Sequence, residues 1–380
     1  MNIRLGAVAL CVGLVCLVTA ALCADDAKPP CEPELFMTLP EMCPTPDGMA
    51  MDADGNILLA CPNYGDKEHP AVLMKITPEN KLLLFCQVPI HPKTGTACPM
   101  GVEVGPDGDI FLVDNQDWGK SDEETKNLGR ILRLDVEDGR WVGTSVVAYG
   151  MKHPNGVRVH DGKIYVTHSM ITNDKDDGLL ISGVYRFDMD AEPVKVGNTL
   201  DDANLLLTIK TLNKDCQYGA DGLAFDSKGN LYVANFGDAT IHKIAFDKDG
   251  NVEKQERFAK DECMKSIDGI CIDRDDNIYA ADFSNNAICL ITPEGKVSVL
   301  AKSPDCDGSK GGLDQPGEPI VRGEELIIAN FDMVTGDDKL NSKHDDVQNL
   351  SVIKPPTIAK NGGEKKEKEK EEKKEDKSSE

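Results

Sequence analysis

Residues 218–244 read YGADGLAFDSKGNLYVANFGDATIHKI, a stretch that predicts three short β-strands joined by two turns. Apolar residues alternate with small or polar ones from Leu223 to Phe225 and from Leu231 to Val233, which is the period of a strand. The sequence DSKGN between them contains Gly229, which accepts the positive φ that a hairpin turn requires. One such unit cannot bury its own faces, so the fold depends on the chain repeating it.

The unit occurs six times along the chain. The six copies open with the phrases PDGMAMD, PMGVEV, HPNGV, ADGLAF, IDGICID and QPGEPIV, and each is followed by a second apolar strand. Third and fourth strands also recur, as in VLMKI at residues 72–76 and VSVL at residues 297–300. A repeat of about 40–50 residues with four strands predicts an all-β fold, a six-bladed β-propeller with four strands per blade.

The two ends of the repeat region predict how the ring closes. ELFMTL at residues 34–39 resembles a fourth strand, whereas the sixth repeat supplies a third strand, LSVI at residues 350–353, but no fourth. The N-terminal strand should therefore complete the last blade and remove an unpaired edge. Since no linker rich in Pro or Ser divides the chain, we predict one propeller over residues 31–358 rather than two domains.

The flanking segments differ in composition from the repeats. Residues 1–24 combine Arg4, an apolar run and small residues near Ala20 and Ala24, which predicts a secretory signal peptide; a membrane anchor is the alternative. Residues 361–380 carry no apolar side chain and are expected to be a disordered charged tail. We therefore expect an exported protein, periplasmic, envelope-bound or extracellular, with no stable membrane insertion after signal removal.

Charge and cysteine content restrict the partners. The formal net charge of −24 disfavours nucleic acid and anionic membranes and is compatible with a small-molecule substrate or a cation. Most of these carboxylates are expected to form a solvated acidic surface. Ten cysteines remain beyond the signal, an even number that predicts disulfides of undetermined pairing. The oligomeric state stays open.

Polar residues recur where the first strand of each blade begins. Because these strands line the channel of a propeller, six positions should meet at one mouth: Asp47, Met100, Asn155, Asp221, Asp268 and Glu318. Like charges so close repel one another, and a bound cation compensates for this. Oxygen donors favour Ca²⁺, then Mg²⁺ or Mn²⁺, over Zn²⁺. The alternative is that the Asp-Gly pairs only form turns, as expected for Asp107 and Asp161.

Long loops are predicted over the same mouth. They span residues 114–128, 168–182 and 303–315, whereas the hairpins at the other end are short. Trp118, His168 and Tyr218 are therefore candidates to line a pocket. His153 begins a blade, and we expect it to be exposed rather than to act as a general base.

The phrases PNGVRV, ADGLAFDSKGNLYVANFG and GEP resemble the SMP-30/gluconolactonase/luciferin-regenerating enzyme family. The resemblance implies a six-bladed propeller with one divalent cation in the channel, held here by Glu318, Asn155 and Asp221, with Asp221 also catalytic. The Glu blade, usually first in this family, comes last here, and Met100 stands where the family usually has a further Asn. Asp47 and Asp268 add carboxylates that would complete the shell or contact substrate, as Met100, Tyr218, Trp118 and His168 also could.

The resemblance favours a metal-dependent hydrolase of a lactone or related ester. A non-enzymatic binding propeller of the NHL kind with a structural cation is the first alternative, because NHL repeats share the DG…GN…YVA phrasing. A lyase or synthase like strictosidine synthase, with a carboxylate base and no metal, is the second.

Overall fold

The computed structural model describes residues 29–63, 68–116, 124–333 and 348–358. The predicted signal peptide, the charged tail beyond residue 361 and Trp118 lie outside these ranges, so the expectations about them stay predictions. Within the described residues, no helix has the length and apolar character to cross a membrane.

Twenty-five strands build six small sheets within the described ranges. Blade 1 contains β2 (Met49–Met51), β3 (Ile57–Cys61), β4 (Val72–Ile76) and β5 (Leu82–Gln87). Blade 2 contains β6 (Pro99–Val104), β7 (Ile110–Asp114), β8 (Gly129–Glu137) and β9 (Arg140–Met151). Blade 3 contains β10 (Pro154–His160), β11 (Lys163–Asn173), β12 (Leu180–Asp188) and β14 (Leu205–Lys210). The short strand β13 (Val194–Lys195) comes between β12 and β14 in the chain but pairs in parallel with β9, at the edge of blade 2.

The remaining blades follow the same pattern. Blade 4 contains β15 (Ala220–Phe225), β16 (Leu231–Asn235), β17 (Thr240–Phe246) and β18 (Val252–Ala259). Blade 5 contains β19 (Ile267–Ile272), β20 (Ile278–Asp282), β21 (Ala287–Ile291) and β22 (Val297–Lys302). Blade 6 contains β23 (Pro316–Arg322), β24 (Glu325–Asn330), β25 (Asn349–Ile353) and the N-terminal β1 (Glu34–Thr38). The predicted six-bladed, all-β architecture is confirmed.

The N-terminal strand closes the ring as predicted. β1 pairs antiparallel with β25, with Glu34 opposite Val352 and Thr38 opposite Asn349. Residues more than three hundred positions apart thus share one sheet, and β1 covers the edge of β25 that would otherwise be unpaired.

Small residues allow the inner strands to approach backbone to backbone. A Cβ added to Gly222 of blade 4 would lie 2.6 Å from the carbonyl oxygen of Asp268 and 2.7 Å from the Cα of Gly269 in blade 5. At Gly101 of blade 2 it would lie 2.7 Å from the carbonyl oxygen of Asn155 in blade 3. No side chain fits between such strands, so glycine follows the polar residue because of packing as well as turn chemistry.

Each interface between neighbouring blades has its own apolar core. Between blades 4 and 5, for example, Tyr232 and Ile241 pack with Ile270 and Ile278. Cysteines contribute to these cores: Cys43 and Cys61 are fully buried in the cluster between blades 6 and 1. The structure records none of the ten cysteines in a disulfide, so the predicted disulfides are not shown.

Candidate functional site

Five of the six predicted channel residues line one cavity. This cavity, of about 20 Å³, lies on the ring axis and is bordered by Asp47, Asn155, Asp221, Asp268 and Glu318. Asp47, Asn155, Asp221 and Glu318 are only 2–8% exposed. A cavity needs at least about 10–15 Å³ to hold one water, so this one admits a water molecule or a single ion but not an organic substrate.

Burial and mutual repulsion disfavour the charged form of the three aspartates. Burial raises the pKa of Asp47 well above its ordinary value, and the nearby Asp268 and Glu318 raise it further. The pKa values of Asp221 and Asp268 are also raised well above normal, chiefly by burial. A hydrogen bond between these two side chains lowers the pKa of Asp221 and raises that of Asp268. Both carboxyl groups therefore favour the neutral form, and they titrate as a pair.

Glu318 reaches the cavity from a different strand position than the comparison of the six repeats predicted. On β15, Ala220 is opposite Asn235 and Leu223 is opposite Val233; on β23, Pro316 is opposite Asn330 and Pro319 is opposite Ile328. Gly317 is thus the equivalent of Asp221, and Glu318 stands where blades 1–5 have glycine. The predicted equivalence of Glu318 with the aspartates was one residue off, because PGEP places its glycine before the acid rather than after it.

The displaced glutamate fits because its neighbour has no side chain. A Cβ added to Gly269 would collide with the Oε2 atom of Glu318, so the carboxylate fills the space that a side chain on β19 would need. On the other side of blade 6, a Cβ on Gly317 would be 3.1 Å from Oδ1 of Asp47. Blades 5, 6 and 1 therefore meet at the carboxylates themselves.

Arg158 completes the lining and was missed by the sequence analysis. It follows Asn155 by three residues on β10, and its Nη2 atom lies 2.5 Å from Oε1 of Glu318 on the opposite side of the ring. Its Nε atom is 3.6 Å from Oε2 of Glu103, on β6 of blade 2. It is the only Lys or Arg among the described residues that border the cavity. The quoted motif PNGVRV contains this residue, but nothing in the sequence indicates that it spans the channel.

Tyr218 and His153 form a pair at the mouth of the channel. The Tyr218 hydroxyl is 2.6 Å from Nε2 of His153 and accepts a hydrogen bond of 3.3 Å from Nδ2 of Asn155. Burial raises the Tyr218 pKa well above normal, as do Asp221, Asp268 and Asp47, so its hydroxyl keeps its proton. His153 is 6% exposed, so the expectation of an exposed side chain was wrong. Burial lowers its pKa to about 3, so it is neutral near pH 7.

Two further candidates lie away from the cavity lining. His168 belongs to β11 rather than to a loop, and its buried Nε2 accepts from the backbone N–H of Lys152 and lies 2.9 Å from Oδ1 of Asn198. The loop after β11 is therefore shorter than the predicted 168–182. Met100 is 4% exposed and packs in an apolar cluster beside Phe283 and Phe331.

Aromatic side chains cover the mouth end of this site. Tyr218, Phe236, Phe283 and Phe331, hereafter the aromatic arc, have successive ring centroids 5.3, 5.7 and 6.0 Å apart. The three phenylalanines follow the second strands of blades 4, 5 and 6, in the phrases ANFG, ADFS and ANFD. That recurrence was a usable signal, because equivalent positions after the second strand must lie at the same end as the first strand's beginning.

The oxygen donors around the cavity suit a divalent cation by their chemistry but not by their arrangement. Four carboxyl groups and one amide surround a space of ion size, and oxygen donors of this kind favour Ca²⁺ or Mg²⁺. Within the described ranges, however, no three His, Cys, Asp or Glu side chains stand in an arrangement that holds a metal ion. One oxygen of Glu318 is instead taken by Arg158.

Fold and site together define a six-bladed β-propeller with an acidic, ion-sized cavity in its channel. Residues 161–307 match the family model described as the SMP-30/Gluconolactonase/LRE-like region, where LRE stands for luciferin-regenerating enzyme. The resemblance to this family is thus confirmed over residues 161–307, which contain the phrase ADGLAFDSKGNLYVANFG but not PNGVRV or GEP. No curated protein matches the chain.

Solved structures share the whole architecture at low sequence identity. A luciferin-regenerating enzyme superposes with a TM-score of 0.56 at 14% identity, covering 86% of this chain and 96% of that one. A gluconolactonase from Xanthomonas campestris gives 0.52 at 16%, covering 87% and 96%. Regucalcin from Agrobacterium tumefaciens, a calcium-binding protein, gives 0.51 at 12%, covering 83% and 92%. At these identities the likeness shows the fold alone.

Proposed function

We propose that this protein is an exported, divalent-cation-dependent hydrolase of a lactone or related ester. The observation that carries the proposal is the convergence of five oxygen-donating side chains from five blades on one ion-sized cavity. The raised pKa values of the buried aspartates support it, because such a cluster is costly without positive charge. Similarity to a gluconolactonase supports the reaction class, and similarity to a calcium-binding regucalcin supports Ca²⁺ as the cation.

In this proposal Glu318, Asn155 and Asp221 hold the cation, with Asp47 and Asp268 completing its surroundings. A divalent cation held there would supply the positive charge that polarises an ester carbonyl and stabilises the negative charge developing on its oxygen. Asp221, which borders the cavity, accepts a proton from the attacking water. The Tyr218 hydroxyl, fixed by His153, orients the substrate from the mouth side.

The substrate must approach from the mouth, because the cavity itself admits only an ion or a water molecule. Tyr218 and Phe236 are the partly exposed members of the aromatic arc, so an apolar or aromatic acyl group can contact these two rings. An assay should therefore include aliphatic and aryl lactones beside sugar lactones.

The test is turnover of these lactones by the purified protein with and without a chelator. The matched pair D221N and D226N compares both ends of β15 while removing the same charge. We expect chelator-sensitive hydrolysis that D221N abolishes and D226N retains. If native protein with a metal bound hydrolyses no lactone, the proposal fails.

A non-enzymatic binding propeller with a structural cation is the second candidate. Met100 favours it, because this buried apolar side chain occupies the position at which blades 3, 4 and 5 place Asn or Asp. In that case D221N would lower cation affinity and thermal stability. Neither the wild type nor any variant would hydrolyse a lactone.

A further inference from the structure

The strongest unexplained feature of the channel is a buried arginine in contact with a proposed cation ligand. The Arg158 guanidinium lies 2.5 Å from Oε1 of Glu318 and 3.6 Å from Oε2 of Glu103. Its Nη2 also donates to the backbone carbonyl of Ile270 at 3.4 Å, and its Nη1 to that of Val157 at 2.8 Å. One side chain from blade 3 thus connects strands of blades 2, 5 and 6.

We propose that Arg158 is a positioning residue that controls cation binding by holding Glu318. A guanidinium so close to one carboxylate oxygen removes that oxygen from the cavity and leaves only Oε2 for an ion. The positive charge also repels any cation that enters the same space. This inference rests on the proposed function, since it assigns to Arg158 the control of a cation site that the function requires.

The pairing across the ring explains why Glu318 is placed differently from the aspartates. Because it stands at a glycine position on β23, its carboxylate lies over Gly269, towards Arg158. An aspartate at the equivalent of Gly317 would begin further towards the mouth, like Asp221. The register of blade 6 therefore places the Glu318 carboxylate within reach of the guanidinium.

Glu103 gives the arginine a second partner, so the two acids share one positive charge. Burial raises the Glu103 pKa, and Arg158 opposes that shift. Replacing Arg158 alone would leave two buried acids without a counter-charge and would destabilise the fold. The double variant R158M/E103Q removes one positive and one negative charge, so the net charge of the site stays the same.

The experiment measures Ca²⁺ and Mn²⁺ binding by titration calorimetry at one pH, together with the shift in thermal unfolding that each cation causes. Wild type, R158M/E103Q and E103Q are compared. R130M/D114N is the matched control, because Arg130 forms a buried pair of 2.7 Å with Asp114 away from the cavity and this double variant also removes one positive and one negative charge. We expect R158M/E103Q to bind about tenfold more tightly or better. E103Q should bind more weakly than wild type, since Arg158 then pairs with Glu318 alone. R130M/D114N should bind as wild type does.

The outcomes separate this inference from the proposed function. If wild type and R158M/E103Q bind a cation with equal affinity, Arg158 has no control over the site and the inference fails while the function stands. If only R158M/E103Q binds, the inference is supported and the cation dependence of the native protein fails. If no protein binds a cation at millimolar concentration, both fail.

The variant R158K tests the same inference if R158M/E103Q does not fold. Lysine keeps the positive charge of Arg158 but has a single nitrogen. It therefore cannot contact Glu318 and Glu103 through separate nitrogens, as the guanidinium does. R158K should therefore bind cations at least about twofold more tightly than wild type. Affinity unchanged in a folded R158K would contradict the proposal.

Discussion

The two ends of β15 carry the same residue in opposite chemical situations. Asp221 lies at the channel, where burial and the neighbouring acids Asp47 and Glu318 raise its pKa well above normal. Asp226 lies in the hairpin at the other end and is also buried. Although burial raises its pKa, hydrogen bonds from Asn230 and from the N–H of Lys228, with Lys243 nearby, leave it below normal.

The difference between these aspartates shows that the surroundings of an aspartate determine whether it stabilises the fold. Asp226 accepts hydrogen bonds of 2.8 and 3.0 Å from backbone N–H groups of its own loop, as an Asp in a hairpin turn is expected to do. Asp221 faces other acids and gains no comparable set of donors. One aspartate therefore stabilises the fold, whereas the other is an acid that the fold keeps at an energetic disadvantage.

The largest expected effect is on catalysis by D221N. Loss of a general base should lower kcat by about 10²–10⁴-fold, whereas D226N at the far end of the same strand should leave kcat near wild type. Thermal unfolding without added cation should show D221N to be at least as stable as wild type, because a buried repulsive acid is removed. A strongly destabilised D221N would contradict the view that this acid is functional rather than structural.

A glycine within β15 and a glycine in the hairpin that follows it provide a second comparison. G222A would place a Cβ 2.6 Å from a backbone oxygen of blade 5, so inner strands must separate, at a cost of about 3 kcal/mol or more. In the hairpin, G229A meets nothing closer than 3.4 Å but has a φ of +78°, at a cost of about 1–2 kcal/mol. Urea denaturation of both variants measures the difference, and equal losses would refute the tight packing of the ring.

A histidine near the mouth makes stability depend on pH. Burial lowers the pKa of His168 to about 4, although its hydrogen bond with Asn198 opposes this. Because the unfolded chain binds the proton more readily, the stabilisation is complete above about pH 6.5 and is lost as pH falls towards 4. The loss is on the order of 3 kcal/mol. H168Q should flatten this part of the profile in denaturation measured from pH 7 to pH 4, and an unchanged slope would exclude His168 as its source.

The smallest expected effect is at the hairpin acid. D226N keeps the size of the side chain and an Oδ1 acceptor for the loop N–H groups, but it replaces Oδ2, which accepts from Nδ2 of Asn230 and from the Tyr232 hydroxyl. We therefore expect a loss of about 1–2 kcal/mol. Urea denaturation near pH 7 measures it. A loss as large as that of G222A would show that the hairpin end, and not the channel, limits stability.

Much of the architecture followed from local pattern. The six repeats, the closure of blade 6 by residues 34–38 and the convergence of five polar residues were all predictable, because strand period and repeat length determine which residues face the axis. The burial of His153 was not predictable, since it depends on Tyr218, 65 positions away in the chain.

The sequence by itself therefore determined the ring, its closure and the acidic character of its channel. These depend on alternation, turn residues and composition, all of which are local properties. Only the tertiary structure showed that Glu318 occupies a glycine position and that Arg158 reaches it from the opposite blade. The reason is physical: a register offset of one residue and a contact across the axis both depend on how six separate strands pack together. No single segment contains that information.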